Sequence, residues 1–125
     1  RSMKLHLTTA ANQNIVTGYG NDHIEVNQIR YSHGILLTAD QLAPWGEAGL
    51  DGLGEADFAA LLAYQPELVV FGSGARMRFV HPRLTAALIN AGIGVETMDT
   101  GAACRTYNFL LGEDRRVALA LLVQA

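Results

Sequence analysis

Two short stretches of the chain hold most of the residues that could bind a ligand. Residues 72–76 read GSGAR, with Arg78 close behind, and residues 99–105 read DTGAACR. Glycines allow the backbone to approach a ligand closely, and successive peptide N–H groups can cradle an oxygen anion. Arginine side chains add charge-assisted and bidentate donors. This combination predicts a site for a phosphate or a carboxylate.

The predicted anion-binding residues come from both stretches. They are Gly72, Ser73, Gly74, Arg76, Arg78, Asp99, Thr100, Cys104 and Arg105. A helix that begins near Asp99 or Thr100 would add free N–H groups and the positive end of its dipole. The alternative is that the glycines only turn the chain, and that the arginines are solvated or paired with Glu96 and Asp99.

The reactive side chains do not form a recognisable catalytic or metal-binding set. Cys104 would lie in a first helical turn beside Arg105, which lowers a thiol pKa, but a lone cysteine is also typical of a buried core. Ser73 lacks the flanking pattern of a nucleophile elbow and is interpreted as a turn residue. The four histidines lack the spacing of helical metal ligands. We therefore predict no catalytic residue, no metal and no cofactor.

A strand-helix-strand unit is predicted to bring the two stretches together. Residues 67–71 (ELVVF) are typical of a strand that is buried on both faces, and residues 93–98 form the next strand. Pro82 favours the start of the helix between them, and Gly92 favours its end. Such a unit has parallel strands and a right-handed crossover. Both loops then leave the same edge of the sheet, where ligands bind in open α/β folds.

The first half of the chain reads differently. Alternating apolar residues and turn residues predict an antiparallel meander over residues 15–38, with a bulge or a register slip near Asn27 and Gln28. Residues 40–54 contain a proline and four glycines, which predicts a loop that Trp45 anchors. Trp45 is expected either to pack over the sheet edge or to lie exposed as an interface anchor.

Three further elements complete the prediction. Helical spacing begins at Glu55 and ends at Pro66. A second helical stretch over residues 101–111 stops at Gly112. Residues 116–123 fit a strand better than a helix, although their alanines and leucines suit both.

Length and composition limit the function classes. The chain of 125 residues is 50% hydrophobic and 17% charged, which predicts one globular domain over residues 1–125. Arg1 and Ser2, which precede Met3, are expected to come from an expression vector. The formal net charge of −3 argues against nucleic-acid binding. No apolar run is long enough to be embedded in a membrane, the first ten residues do not read as a signal peptide, and a single cysteine favours the cytoplasm.

Two stretches also resemble a known family. VVFGSGARMRF (residues 69–79) and, more specifically, VETMDTGAACRTYN (residues 95–108) are similar to the Mth938-like domain family, small α/β proteins named after an archaeal prototype of unknown function. The family includes a mitochondrial complex I assembly factor and an adipogenesis-associated protein. The resemblance covers most of the chain, and the lack of a transit segment before Met3 suits a bacterial member. The matching residues are Gly72, Gly74, Glu96, Asp99, Thr100, Cys104, Thr106, Asn108, Arg116 and Val117.

The resemblance implies a fold and two alternative functions. The implied fold is a three-layer α/β fold, in which a mixed central sheet has helices on one face and an additional antiparallel β layer from the N-terminal half, with the last strand antiparallel to its neighbours. The assembly-factor members imply a non-enzymatic interaction domain with a protein partner. The alternative is a small-molecule binder or an enzyme for an anionic ligand at the rim, which we define as loops 72–76 and 99–105. The oligomeric state is left open.

Overall fold

The structure is a computed structural model that describes residues 13–123. The strands are β1 (Val16–Tyr19), β2 (Ile24–Val26), β3 (Ile29–Tyr31), β4 (Ile35–Leu37), β5 (Leu42–Pro44), β6 (Leu68–Gly72), β7 (Gly94–Met98) and β8 (Val117–Leu121). The helices are α1 (Glu55–Ala59), α2 (Ala86–Asn90) and α3 (Thr100–Gly112), with 3-10 turns at Leu50–Gly52, Ala60–Tyr64 and Pro82–Thr85. The predictions about Arg1, Ser2 and the N-terminal stretch fall outside the described residues.

The first three strands form the predicted antiparallel meander, in the order β1-β2-β3. The sequence predicted a bulge or a slip near Asn27 and Gln28. These two residues instead form the two-residue turn between β2 and β3, in which Val26 pairs with Ile29. Their φ angles of 51° and 69° are left-handed, as in the hairpin turns that match strand twist. The irregular register lies in β1 instead.

The fourth strand leaves the meander and joins a second sheet of five strands, in the order β5-β4-β8-β6-β7. β4 pairs antiparallel with both β5 and β8. The meander predicted over residues 15–38 is therefore wrong for its last strand. All three residues of β4 are buried, so its apolar side chains need cover on both faces, and β8 provides a pairing partner from the other end of the chain.

The five-stranded sheet corrects two further predictions. Residues 40–54 are not all loop, because Leu42–Pro44 forms an edge strand, where a proline is tolerated. β8 confirms that residues 116–123 contain a strand. The resemblance implied that it runs antiparallel to its neighbours, and this holds for β4 but not for β6, which runs parallel to it.

The predicted strand-helix-strand unit is confirmed. β6 and β7 are parallel neighbours, in a register that runs from Leu68 opposite Gly94 to Gly72 opposite Met98. α2 lies between them in the chain. Both strands therefore end at one edge of the sheet, which places the two rim loops beside each other.

The central sheet has a hydrophobic core on each face, and the mixed three-layer fold is confirmed. One core contains Phe58 of α1, Leu88 of α2 and Phe71 of β6. The other contains Tyr107 of α3 together with Ile24 of β2 and residues of β4, β6 and β8. α3 contacts β1 as well as the central sheet. The sequence did not predict that α3 shares its face of the sheet with the N-terminal β layer.

Trp45 belongs to the core that α1 and α2 cover. Its ring makes edge-to-face contacts with Phe58 and Phe71, at centroid distances of 5.4 Å and 6.0 Å. Its indole N–H donates a hydrogen bond to the Asp57 carbonyl oxygen at 2.9 Å. Because Trp45 is buried and its polar atom is satisfied, the prediction of an exposed anchor is wrong, and the packing alternative is confirmed.

Candidate functional site

The two rim loops are joined by backbone hydrogen bonds. The Ser73 N–H donates to the Met98 carbonyl at 2.9 Å, and the Thr100 N–H donates to the Gly74 carbonyl at 2.8 Å. Gly72 is required just before this junction, because a Cβ there would overlap Leu121 Cδ1 and would come within 3.1 Å of the Ala103 Cβ. The absence of a side chain at Gly72 therefore allows α3 and β8 to pack closely against β6.

Ser73 organises the loop that follows β6. Its buried hydroxyl group donates to the Arg76 carbonyl at 2.7 Å and accepts a hydrogen bond from the Arg78 N–H at 2.8 Å. The Arg78 guanidinium also donates to the Ser73 carbonyl at 3.3 Å. These bonds hold the loop in one shape, which agrees with the interpretation of Ser73 as a turn residue.

The loop presents an exposed segment, residues 75–79, which we call the docking segment. Met77 is 53% exposed and Phe79 is 72% exposed, whereas large apolar side chains are usually covered. Arg76 and Arg78 are exposed beside them. Neither arginine forms a salt bridge with Glu96, Asp99 or any other residue in the described part of the chain.

Most of the N–H groups at the start of α3 are bonded within the protein. The Asp99 carboxylate accepts a hydrogen bond from the Ala102 N–H at 2.9 Å, and the Asp99 carbonyl accepts one from the Ala103 N–H. The Thr100 N–H is bonded to Gly74. A carboxylate already occupies the position that an anion would take, so the N–H groups at this helix end offer little to a ligand.

Arg76, Arg78 and Arg105 do not converge on one point. Arg105 donates to the Tyr19 hydroxyl at 2.6 Å, on the side of the rim that faces the N-terminal β layer. A small cleft of about 200 Å³ on this side is lined by Tyr19, Gly20, Asn21, Gly74, Ala75, Thr100 and Gly101. Arg76 and Arg78 line a different cleft. The turn at Gly74 and Ala75 therefore divides the predicted site into two parts.

The larger of these two, which we call the arginine cleft, has a volume of about 340 Å³. It is lined by Glu47, Ala48, Gly49, Leu50, Ser73, Gly74, Ala75, Arg76, Arg78, Leu122 and Val123. Residues 47–50 were missed as site residues, because nothing in their sequence shows that they face the rim. Glu47 is the one acidic residue among those that line the cleft, and it is exposed.

Cys104 does not reach the rim surface, so its prediction as a ligand contact is wrong. It is 1% exposed and packs in the core between α3 and the sheet. Burial raises the pKa of the Cys104 thiol to about 12, although the charge of Arg105 acts in the opposite direction. The thiol stays protonated near neutral pH, so the alternative of a core cysteine is supported over a reactive one.

The side chains that follow Cys104 tie α3 to the N-terminal β layer. The Asn108 amide accepts a hydrogen bond from the Val16 N–H at 3.0 Å and donates one to the Val16 carbonyl at 2.8 Å, as a neighbouring strand would. The Tyr107 hydroxyl donates to the Asn14 carbonyl at 2.8 Å. Burial, and to a smaller extent the charge of Asp40, raises the pKa of Tyr107. The family-like stretch at residues 95–108 is thus largely occupied by structural contacts.

Another cleft, of about 340 Å³, lies at the opposite edge of the central sheet, and its lining includes Arg115, Arg116, Asp40 and Asp114. Its arginines make contacts within the protein: Arg115 donates to Glu67 at 2.8 Å, and Arg116 donates to the Gln65 carbonyl at 3.3 Å. These contacts connect the turn after α3 to the start of β6.

The described residues, 13–123, lack a metal-binding cluster and a membrane-spanning helix. Within that range, no group of three or more His, Cys, Asp or Glu side chains is arranged to hold a metal ion. None of the helices described there combines the length and the hydropathy that a membrane span needs.

Comparison with known proteins identifies relatives along most of the chain. Residues 16–122 match the family model described as "Protein of unknown function (DUF498/DUF598)". A crystal structure of a Bordetella parapertussis protein is 40% identical, with a TM-score of 0.81, over 90% of this chain and 97% of that one. A Bordetella pertussis solution structure described as a Mth938-like domain is 35% identical, with a TM-score of 0.71, over 90% of this chain and 87% of that one. The resemblance predicted from the sequence is therefore confirmed.

Relatives from several vertebrates have a functional name. The bovine NADH dehydrogenase [ubiquinone] 1 alpha subcomplex assembly factor 3 is 30% identical over 109 residues, which is 86% of this chain. The aligned region makes up 59% of the bovine protein, so this chain spans less than two thirds of its length.

Proposed function

The chain belongs to the DUF498/DUF598 family of proteins of unknown function, and we propose that it is a non-enzymatic protein-binding domain that helps to assemble a multi-subunit complex. The named relative suggests that this complex is the respiratory NADH dehydrogenase. The proposed setting is the cytoplasm, where a single cysteine stays reduced.

The observation that carries the proposal is the docking segment. Met77 and Phe79 expose most of their surface, and Arg76 and Arg78 alternate with them in the chain. Methionine, aromatic residues and arginine are the types enriched at protein interfaces. The Ser73 hydroxyl holds the segment in shape, which reduces the entropy lost when a partner binds.

The side chains that could have reacted have structural roles, which supports a non-enzymatic function. Ser73 and Cys104 are buried, and Asp99 caps α3. A catalytic site needs an acid, a base or a nucleophile in reach of a common reacting atom. These three side chains are instead occupied by hydrogen bonds or by core packing.

Photo-crosslinking in living cells tests the proposal. A photoreactive phenylalanine analogue replaces Phe79, and matched variants carry it at Ile89 and Phe109, which are 54% and 66% exposed on α2 and α3. We expect position 79 to yield a cross-link to a subunit of the respiratory NADH dehydrogenase or of another multi-subunit complex. The two control positions should not yield that product. Equal labelling at all three positions, or no product at position 79, would contradict the proposal.

A second candidate function is the binding of a small anion at the rim. It is favoured by Arg76 and Arg78, which line one cleft and form no salt bridge with another described residue. A thermal-shift screen with phosphate, sulfate and small carboxylates separates the two functions, because a ligand raises the melting temperature by mass action. The protein-binding function predicts a flat response, and a rise that Arg76→Ala removes would favour the anion binder.

A further inference from the structure

We propose that the arginine cleft receives an acidic side chain of the partner, and that the docking segment covers an apolar residue next to it. The preferred partner is thus a protein segment in which Asp or Glu lies beside an aromatic or aliphatic residue. This inference rests on the proposed function and specifies the chemistry of its partner.

Charge complementarity is the first argument. Residues 72–83 carry Arg76, Arg78 and Arg83 and no acidic residue, although the whole chain has a formal net charge of −3. Arg83 is paired with Glu55 at 3.5 Å, which leaves two arginines without a carboxylate partner in the described structure. Both line the arginine cleft. A partner carboxylate can therefore pair with a guanidinium group without displacing an existing ion pair.

The surroundings of the arginines favour a protein segment over a free anion. The cleft is open, and every buried side-chain nitrogen and oxygen within the described residues already has a hydrogen-bond partner. A free phosphate would thus depend on two exposed arginines. Met77 and Phe79 add apolar surface directly beside those arginines in the chain. That surface contributes binding energy only if the ligand carries an apolar group next to its charge.

The same surroundings argue against an anionic membrane as the partner. Lipid-binding basic clusters usually have about four to eight lysines and arginines. The docking segment has two, and Glu47 also lines the cleft. The Glu47 carboxylate would weaken binding to any acidic group, so the small number of basic residues is what argues against a membrane.

Replacement of Glu47 should strengthen binding of an acidic partner, whereas a substitution that only disturbed the structure would weaken it. In cells that carry the photoreactive analogue at position 79, we expect Arg76→Gln and Arg78→Gln each to lower the cross-link yield about two- to fivefold, the upper part of the range for exposed ion pairs. Glu47→Gln should raise the yield about twofold. Arg30→Gln, on exposed β3, is the matched control and should leave the yield unchanged.

Mass spectrometry of the cross-linked peptide completes the test. We expect an acidic residue within about two positions of the cross-linked apolar residue. A cross-link to a neutral or basic segment, with no effect of the arginine variants, would overturn this inference and leave the proposed function intact. The absence of any specific product at position 79 would overturn both.

Two binding assays with the purified full chain cover the other sources of negative charge. Sodium phosphate and sodium glutarate, added at millimolar concentration, should not raise the melting temperature. Vesicles of phosphatidylcholine with one third phosphatidylglycerol should not sediment the protein. Binding in either assay that Arg78→Gln abolishes would overturn the assignment to a protein segment.

Discussion

The hydrogen bonds between Asn108 and β1 are the contacts whose loss can be predicted most closely. Asn108→Ala removes an acceptor for the Val16 N–H and a donor to the Val16 carbonyl. Each hydrogen bond contributes about 0.5–1.5 kcal/mol net, so the two together contribute about 1–3 kcal/mol. Alanine regains about 0.6 kcal/mol of helix propensity within α3. The free energy of unfolding should therefore fall by about 0.5–2.5 kcal/mol.

Urea denaturation of Asn108→Ala measures this change, with Asn90→Ala as a matched control. Asn90 is exposed in α2, so its replacement removes an asparagine from a helix without the link to β1. At about 4 °C per kcal/mol for a domain of this size, the melting temperature of Asn108→Ala should fall by roughly 2–10 °C. Amide exchange at Val16 should accelerate, since its N–H loses its acceptor. Equal midpoints for the two variants, with unchanged exchange at Val16, would refute the role assigned to Asn108.

Two further predictions concern packing and pH. Gly72→Ala should lower the free energy of unfolding in a urea titration by about 1–3 kcal/mol, because the added Cβ would overlap Leu121. Gly94→Ala is the control and should be nearly neutral, because its Cβ would lie 3.4 Å from Leu68 Cδ1. The raised pKa of Cys104 in the folded state, about 12, means that the unfolded chain loses its thiol proton at lower pH, so stability should fall as pH rises from about 9 towards 12. Cys104→Ala should reduce that fall in stability, which urea midpoints at pH 7 and pH 10 would reveal. A thiol reagent at pH 8 should label Cys104 only when the protein unfolds. Rapid labelling of the folded protein would contradict the burial of Cys104.

Local signals were sufficient to predict much of the fold. The strand predicted at residues 67–71 differs from β6 by one residue at each end. The prediction succeeded because a continuous β-branched run between turn residues is compatible with few other structures. A helix was predicted to begin near Asp99 or Thr100, and Asp99 does cap α3. β4 was assigned to the wrong sheet because its pairing depends on β8, which lies near the other end of the chain, and no local pattern specifies that partner.

The candidate site was harder to predict from the sequence for a similar reason. The parallel strands were expected to bring the rim loops together, and they do. Cys104 faces the core and Arg105 turns towards Tyr19, and these orientations depend on how α3 rotates against the N-terminal β layer. Glu47 enters the arginine cleft through a loop whose position depends on the burial of nearby Trp45. Such tertiary effects leave no signal in the spacing of residues.

The most direct test of the central claim is complementation in the native host. A strain that lacks the gene receives the wild-type chain, the variant Met77→Ser/Phe79→Ser, or the control Ile89→Ser/Phe109→Ser, and native gel electrophoresis measures assembled NADH dehydrogenase. All four side chains are exposed, so the purified variants should unfold at similar urea concentrations. The account predicts that the wild type and the control restore assembly and that the docking-segment variant does not. Full restoration by the docking-segment variant, at equal protein level, would contradict it.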